Sequence, residues 1–265
     1  DGNGGAIITW TDDRSSAVGV TDLYAQRVNS SGVIQWTLNG LPVCTAAGFQ
    51  SSPEIVADES GGAIICWTDS RILTNDIYAQ RINSSGNPQW LLNGVIISTA
   101  ADGQREQKMV ADGAGGAVMA WMDYRDGNED IYTQRIDAAG NVLWTKTYGG
   151  TTNQGGLSVQ QTTDYGYIIT GYCCGAWGDV YLVKTDTSGN LLWSKTYHGS
   201  MYESGAFVQQ TTDGGYIIAG STYSFGAGNS DIYLVKTDSI GDTLWTKTYG
   251  WADDDLGYQV QQTTD

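Results

Sequence analysis

The stretch Asp231-Ile232-Tyr233-Leu234-Val235-Lys236-Thr237-Asp238-Ser239-Ile240-Gly241-Asp242-Thr243-Leu244-Trp245 carries landmarks that recur along the whole chain. The Asp-apolar-Tyr triplet returns at Asp22-Leu23-Tyr24, Asp76-Ile77-Tyr78, Asp130-Ile131-Tyr132 and Asp179-Val180-Tyr181, and a Trp follows each Tyr by twelve residues, at Trp36, Trp90, Trp144, Trp193 and Trp245. The Trp spacings of 54, 54, 49 and 52 divide the 265 residues into five repeats, and a fixed period of this size marks a repeat architecture.

Within a repeat the pattern is one of short strands. The second repeat predicts strands over Pro53–Ala57, Ala63–Thr68, Asp76–Asn83 and Gln89–Ile97, separated by Gly, Asn, Ser and Asp, residues that tolerate positive φ or bond their own backbone. β-branched and aromatic residues fill the strands, and no helical period of useful length appears. Four strands per repeat predict an all-β, five-bladed β-propeller of four-stranded antiparallel blades. The chain opens inside a repeat, while residues 258–265 match Val159–Asp164 and Val208–Asp213. That match predicts 1+3 closure, with the C-terminal strand joining the N-terminal blade and removing its open edge. The expected layout is one domain, 1–265: blade one from 256–265 plus 1–46, then 47–100, 101–150, 151–200 and 201–255.

The blades fall into two sets. Repeats one to three carry Trp-x-Asp-x-Arg (Trp10/Asp12/Arg14, Trp67/Asp69/Arg71, Trp121/Asp123/Arg125) and Tyr-x-Gln-Arg ending at Arg27, Arg81 and Arg135. Repeats four and five carry Val-Gln-Gln-Thr-Thr-Asp and Tyr-Leu-Val-Lys-Thr-Asp (Tyr181–Asp186, Tyr233–Asp238), a style that the end of repeat three already shows at Leu143–Gly149. The segment Asp213–Gly220, with Asp231–Trp245, resembles the propeller repeats of large secreted surface proteins of bacteria and archaea, and the first three repeats resemble a second blade type of similar proteins. Asp186-Thr187-Ser188-Gly189-Asn190-Leu191-Leu192-Trp193 is distantly similar to the tryptophan-docking motif of quinoprotein propellers, departing by one residue in the turn and lacking the quinone-binding residues. These resemblances imply an extracellular or cell-surface location within a larger secreted protein, and no activity.

Composition narrows the function classes. Twenty-nine Asp and Glu against 13 Lys and Arg give a formal charge of -16, which argues against nucleic acid as a partner, since phosphates are held by basic side chains. No apolar run is long enough to span a membrane. The single His198, in Tyr197-His198-Gly199-Ser200, reads as an exposed loop residue standing where Gly150 and Trp251 stand in neighbouring blades. It leaves no spare parts for a two-His metal site or a serine triad. Five-bladed rings host glycosidases, and Glu203 and Asp255 begin presumed inner strands, but fold analogy is a weak warrant. The expectation is therefore a non-catalytic interaction module, not an enzyme and a monomer, with a protein or glycan partner.

Residues required five times are required by the blade, so the repeated Trp are expected between neighbouring blades. The Asp-x-Arg pairs and the Asp before each Tyr are expected to pin loops. Non-repeated aromatics are the better lead for a ligand: Trp177, Tyr202, Phe225 and Trp251, with Tyr172 and Tyr223 nearby in sequence. Aromatic rings beside Asp, Asn and Gly suit sugar faces, so a lectin-like propeller is the alternative function. No cofactor is required. If calcium binds, the carboxylate-rich run Asp123, Asp126, Glu129 and Asp130 is the candidate, because Ca²⁺ takes six to eight oxygens. Cys44 and Cys66 read as small core fillers, and Cys173-Cys174 as a pair able to form a vicinal disulfide.

Overall fold

The computed structural model describes residues 2, 4–14, 20–72, 74–174 and 178–263. Among them there is no helix, hence no helix long and apolar enough to cross a membrane. Five antiparallel sheets follow one another along the chain, giving the all-β, five-bladed propeller expected from the repeats. The first sheet holds β1 (Ala6–Asp12), β2 (Asp22–Val28) and β3 (Leu41–Cys44). The second holds β4 (Gln50–Ala57), β5 (Ala63–Ile72), β6 (Thr74–Ile82) and β7 (Val95–Ser98), and the third β8 (Gln104–Ala111), β9 (Ala117–Asp123), β10 (Asp130–Ile136) and β11 (Val142–Tyr148). The fourth is built from β12 (Gln154–Gln161), β13 (Tyr167–Cys173), β14 (Asp179–Thr185) and β15 (Leu191–Tyr197). The fifth is built from β16 (Glu203–Gln210), β17 (Tyr216–Thr222), β18 (Asp231–Thr237) and β19 (Thr243–Tyr249). Neighbours in each sheet are sequence neighbours, so each sheet is built by successive strands of the chain.

The turn between third and fourth strands shows why Asn or Asp recurs there. In all five repeats its carboxylate or amide oxygen accepts two backbone N–H groups, two and four residues on: Asn29, Asn83, Asp137, Asp186 and Asp238. This is the local Asx geometry that competes with ladder pairing and ends a strand.

Two sequence expectations change. The fourth strand of the second blade starts at Val95, not Gln89. Trp90 N bonds to Gln80 Oε1, and Leu91-Leu92-Asn93-Gly94 closes a turn with Gly94 N on Leu91 O, Asn93 at φ 62° and Gly94 at φ 89°, a region that Gly and Asn enter at low cost. The structure also does not show the expected closure: the first sheet has three strands, and residues 250–263 contain none. The C-terminal stretch is bonded to the fifth blade. Thr212 N donates to Gln262 Oε1 at 2.8 Å, repeating the bond from Thr163 N to Gln210 Oε1 at 2.8 Å between the fourth and fifth blades.

Two compact units can be described separately. Residues 1–119, 123–125 and 134–145 form one, and 120–122, 126–133 and 146–265 the other, the third sheet contributing to both. The first unit's core includes Leu23, Val43, Cys44, Ile65, Trp67, Tyr78 and Ile82, with Trp36 packed against them. The second's includes Ile168, Val180, Leu182, Tyr197, Val208, Tyr216, Ile218, Tyr233 and Val235, with Trp193 packed against them. Each large apolar side chain fully buried contributes roughly 1.5–3 kcal/mol. Three of the repeated Trp dock as expected, the rings of Trp36, Trp90 and Trp193 lying against Gly86, Gly140 and Gly241 of the next blade's turn, whereas Trp245 is exposed. Cys44 and Cys66 are buried free thiols, and Cys173 and Cys174 are joined.

Candidate functional site

At the end of the fourth blade where its second strand passes to its third, Cys173 of β13 faces Asp179 of β14 across the ladder. The next blade's inner strand is tied to the same corner, Glu203 N donating to Gly178 O at 2.9 Å. Gly178 is needed there, for it has φ 89° and a Cβ would press on the Tyr202 ring. Three tyrosines form a row beside this corner: Tyr172 and Tyr202 have ring centroids 6.3 Å apart, and Tyr202 and Tyr223 6.2 Å. Tyr172 and Tyr202 are half-buried and Tyr223 is exposed. Tyr172 OH donates to Glu129 Oε2 at 2.9 Å, holding that ring against a buried carboxylate.

The carboxylates follow a blade-by-blade pattern. The Asp that opens the third strand sits near an acid or amide that follows the blade's last strand: Asp130 with Gln154 at the start of β12, Asp179 with Glu203 at the start of β16, and Asp231 with Asp255 in the C-terminal stretch. In the third and fifth blades, Gly149 and Gly250 lie directly against the carboxylates of Asp130 and Asp231, where a Cβ would collide. His198 occupies that place in the fourth blade. The strand ends Tyr148, Tyr197 and Tyr249 make Gly149 and Gly250 its counterparts, one position earlier than the sequence comparison with Gly150 and Trp251 implies. His198 is exposed, as expected.

Asp179 therefore sits in an environment its counterparts lack. Burial pushes its carboxyl above the usual range; the His198 imidazole draws it down, and the Glu203 carboxylate adds to the rise. Glu203 is fully buried and committed, accepting from Gly199 N and Thr222 Oγ1, each at 2.8 Å. Asp255 similarly accepts from Trp251 N at 2.9 Å. The two inner-strand acids singled out in the sequence thus each hold their own entry loop.

Of the expected ligand residues, Tyr202 lies in the tyrosine row. Phe225 packs on Tyr233 at 5.6 Å, and Trp251 is 84% exposed. Trp177 lies outside the described residues. The structure joins Tyr202 to Tyr172 and Tyr223, and makes no ring contact from it to Phe225 or Trp251 among the described residues. The candidate calcium residues are occupied elsewhere. Asp123 pairs with Arg125 at 2.5 Å, Asp126 accepts from Tyr132 OH at 2.6 Å, Glu129 from Tyr172, and Asp130 from Gly150 N at 3.0 Å. No three His, Cys, Asp or Glu side chains converge among the described residues. The roles of Asp179 and Glu129 are not visible in the sequence: the first looks like one of five identical blade residues, the second like a loop acid.

No protein-family model matches the sequence, and no curated protein is similar to it. Solved structures are similar in fold. An exo-β-1,3-galactanase from Phanerochaete chrysosporium is 12% identical with a TM-score of 0.46, over 91% of this chain and 62% of the galactanase. An endo-1,4-β-xylanase from Bacteroides thetaiotaomicron is 9% identical (TM-score 0.45; 91% of this chain, 93% of the xylanase). An endo-arabinase from the same bacterium is 12% identical (TM-score 0.45; 87% and 89%). The chain spans under two thirds of the galactanase. The expectation of a non-catalytic scaffold that is not an enzyme is corrected by this finding, since the structures it resembles are glycan-degrading enzymes. At these identities the likeness is one of fold and transfers no residue roles. It also brings no kinship with quinoprotein repeats.

Proposed function

We propose that this chain acts on a saccharide at the corner of the fourth blade, in the manner of a glycoside hydrolase. The observation that carries the reading is Asp179: an aspartic acid whose carboxyl is raised by burial, beside His198 and next to the row Tyr172–Tyr202–Tyr223. Glycosidic cleavage needs a carboxylic acid that keeps its proton long enough to protonate the leaving oxygen. Burial moves the Asp179 carboxyl in that direction. The tyrosine rings offer apolar faces for a pyranose, and Glu129 holds Tyr172 in place through its phenol. The joined Cys173–Cys174 pair supports a location outside the cell, where disulfides persist, within a larger secreted protein.

The test is turnover on a panel of neutral polysaccharides that includes β-1,3-galactan, arabinan and xylan, followed by the Asp179→Asn and Tyr202→Ala variants. The expected result is activity on one glycan, a kcat reduced about 10²–10⁴-fold by Asp179→Asn with binding retained, and a raised KM for Tyr202→Ala. Glycan binding without turnover by the wild-type chain, or full activity in Asp179→Asn, overturns the reading.

A further inference from the structure

The same structural position that holds His198 in the fourth blade has a different charge balance in the fifth, and nothing in the proposed activity uses it. In the third blade Asp130 Oδ1 accepts from Gly150 N at 3.0 Å and Asn128 Nδ2 at 3.3 Å, and its neighbour Gln154 is neutral. In the fourth, His198 follows Tyr197, which pairs with Val180 next to Asp179. In the fifth, two aspartates converge: a Cβ on Gly250 would touch both Asp231 Oδ1 and Asp255 Oδ2. In the third blade the amide after the glycine, Gly150 N, serves both Asp130 Oδ1 and Gln154 Oε1, whereas in the fifth Trp251 N bonds only to Asp255 Oδ2, at 2.9 Å.

Asp231 is 1% exposed, and its Oδ1 has no hydrogen-bond partner. Its other oxygen accepts Ala227 N at 2.9 Å, so the carboxylate cannot rotate away without losing that bond. The preceding Ser230 is fully buried and its Oγ is likewise without a partner. Asp254 lies alongside, accepting Ser230 N at 3.2 Å. Among the described residues no Lys, Arg or His forms an ion pair with Asp231, Asp254 or Asp255. Burying a carboxylate oxygen with no donor costs several kcal/mol unless a positive charge meets it. We propose that a hard divalent cation of the calcium class supplies that charge, bound between Asp231 Oδ1 and Asp255 with water completing its oxygen shell. Asp255 is only half-buried, which leaves those waters a way in. The site lies in a different blade from the Asp123–Asp130 run singled out in the sequence.

The experiment is terbium luminescence, a Ca²⁺ stand-in sensitised by nearby aromatic rings, with thermal melting in Ca²⁺, Mg²⁺ and EDTA. The wild-type chain is expected to give terbium emission displaced by Ca²⁺, and a melting temperature several degrees higher in Ca²⁺ than in EDTA. Asp231→Asn is expected to abolish both responses. Asp255→Gln copies the Gln154 arrangement of the third blade and is expected to fold well in EDTA yet lose the Ca²⁺ response. Three results overturn the proposal: no response in the wild type; a response that survives in both variants; or a melting temperature that rises on acidification equally with Ca²⁺ and EDTA, which would put a shared proton where the cation is assigned.

Discussion

The two blade types pin the same turn with opposite burial of acid and base. In the second blade, Asp58 takes the turn between first and second strands, accepting Ser60 N at 2.9 Å, Gly62 N at 2.7 Å and Arg81 Nε at 3.0 Å. There the acid side chain is 1% exposed and the base 17%. In the fourth blade, Asp164 accepts Gly166 N and Thr162 Oγ1 and pairs with Lys184 at 2.9 Å, but the base is 5% exposed and the acid 57%. The difference lies in the reach of the cation. A guanidinium presents a fork of donors, and Arg81 uses it twice, bonding Asp58 and, at 2.9 Å, Ala138 O in the next blade. An ammonium is a compact point charge; Lys184 turns back to Thr185 O in its own blade. The inter-blade bond then passes to a phenol: Tyr148 OH reaches Gly189 O at 2.6 Å and Tyr197 OH reaches Gly241 O at 2.8 Å.

That contrast predicts a clear ordering of losses. Asp58→Ala is expected to cost about 3–5 kcal/mol in urea unfolding, because it removes a buried acid that serves two turn amides and Arg81, whereas Asp164→Ala is expected to cost less, because that acid is largely in water and Lys184 keeps its bond to Thr185 O. Equal losses would break the distinction between the two types. Next in size, Tyr148→Phe is expected to cost about 1–3 kcal/mol by leaving the Gly189 carbonyl without its donor. Burial already pushes the Tyr148 phenol up to about 12, so this bond is present across the working pH range. An unchanged midpoint would mean that the phenol is not the link.

The smallest effects separate two aspartates by pH. Hydrogen bonds from Thr211 and Lys236 hold the Asp213 carboxyl well below the usual range, so its contribution is present at neutral pH and lost as pH falls below about 4. Asp179 is raised, so its ionised form is the disfavoured one, and the penalty is absent below the ordinary carboxylate range and grows as pH rises through its folded value. Asp213→Asn is therefore expected to lower the melting temperature at pH 7, with the difference shrinking progressively as pH falls below about 4 and on through its lowered folded value. Asp179→Asn is expected to raise it at pH 7, with the gain vanishing on acidification. Parallel pH profiles for the two variants would contradict both assignments.

Much of the fold is legible residue by residue. The Asx turns follow from Asn29, Asn83, Asp137, Asp186 and Asp238 at fixed distances before a Gly or apolar residue, and the docking Trp follow from their spacing. The fourth strand of the second blade is less readable, because Trp90-Leu91-Leu92 is apolar enough to pass for strand while Asn93-Gly94 diverts the backbone. The counterpart of His198 is ambiguous by one position, because the glycines around it offer two equally good local matches. Only the ladder from Tyr197 decides between them.

Period, strand content, turn chemistry and the two blade types are local properties, and the order of residues alone specifies them. Which of the identical-looking aspartates differ is a matter for the folded chain. Asp130, Asp179 and Asp231 occupy the same place in three copies of one motif. Their environments come from residues on other strands: Gly149 and Gln154, His198 and Glu203, Gly250 and Asp255. The charge state of a buried carboxylate depends on solvation and on charges within a few ångströms, quantities that exist only once the neighbouring strands have been brought together.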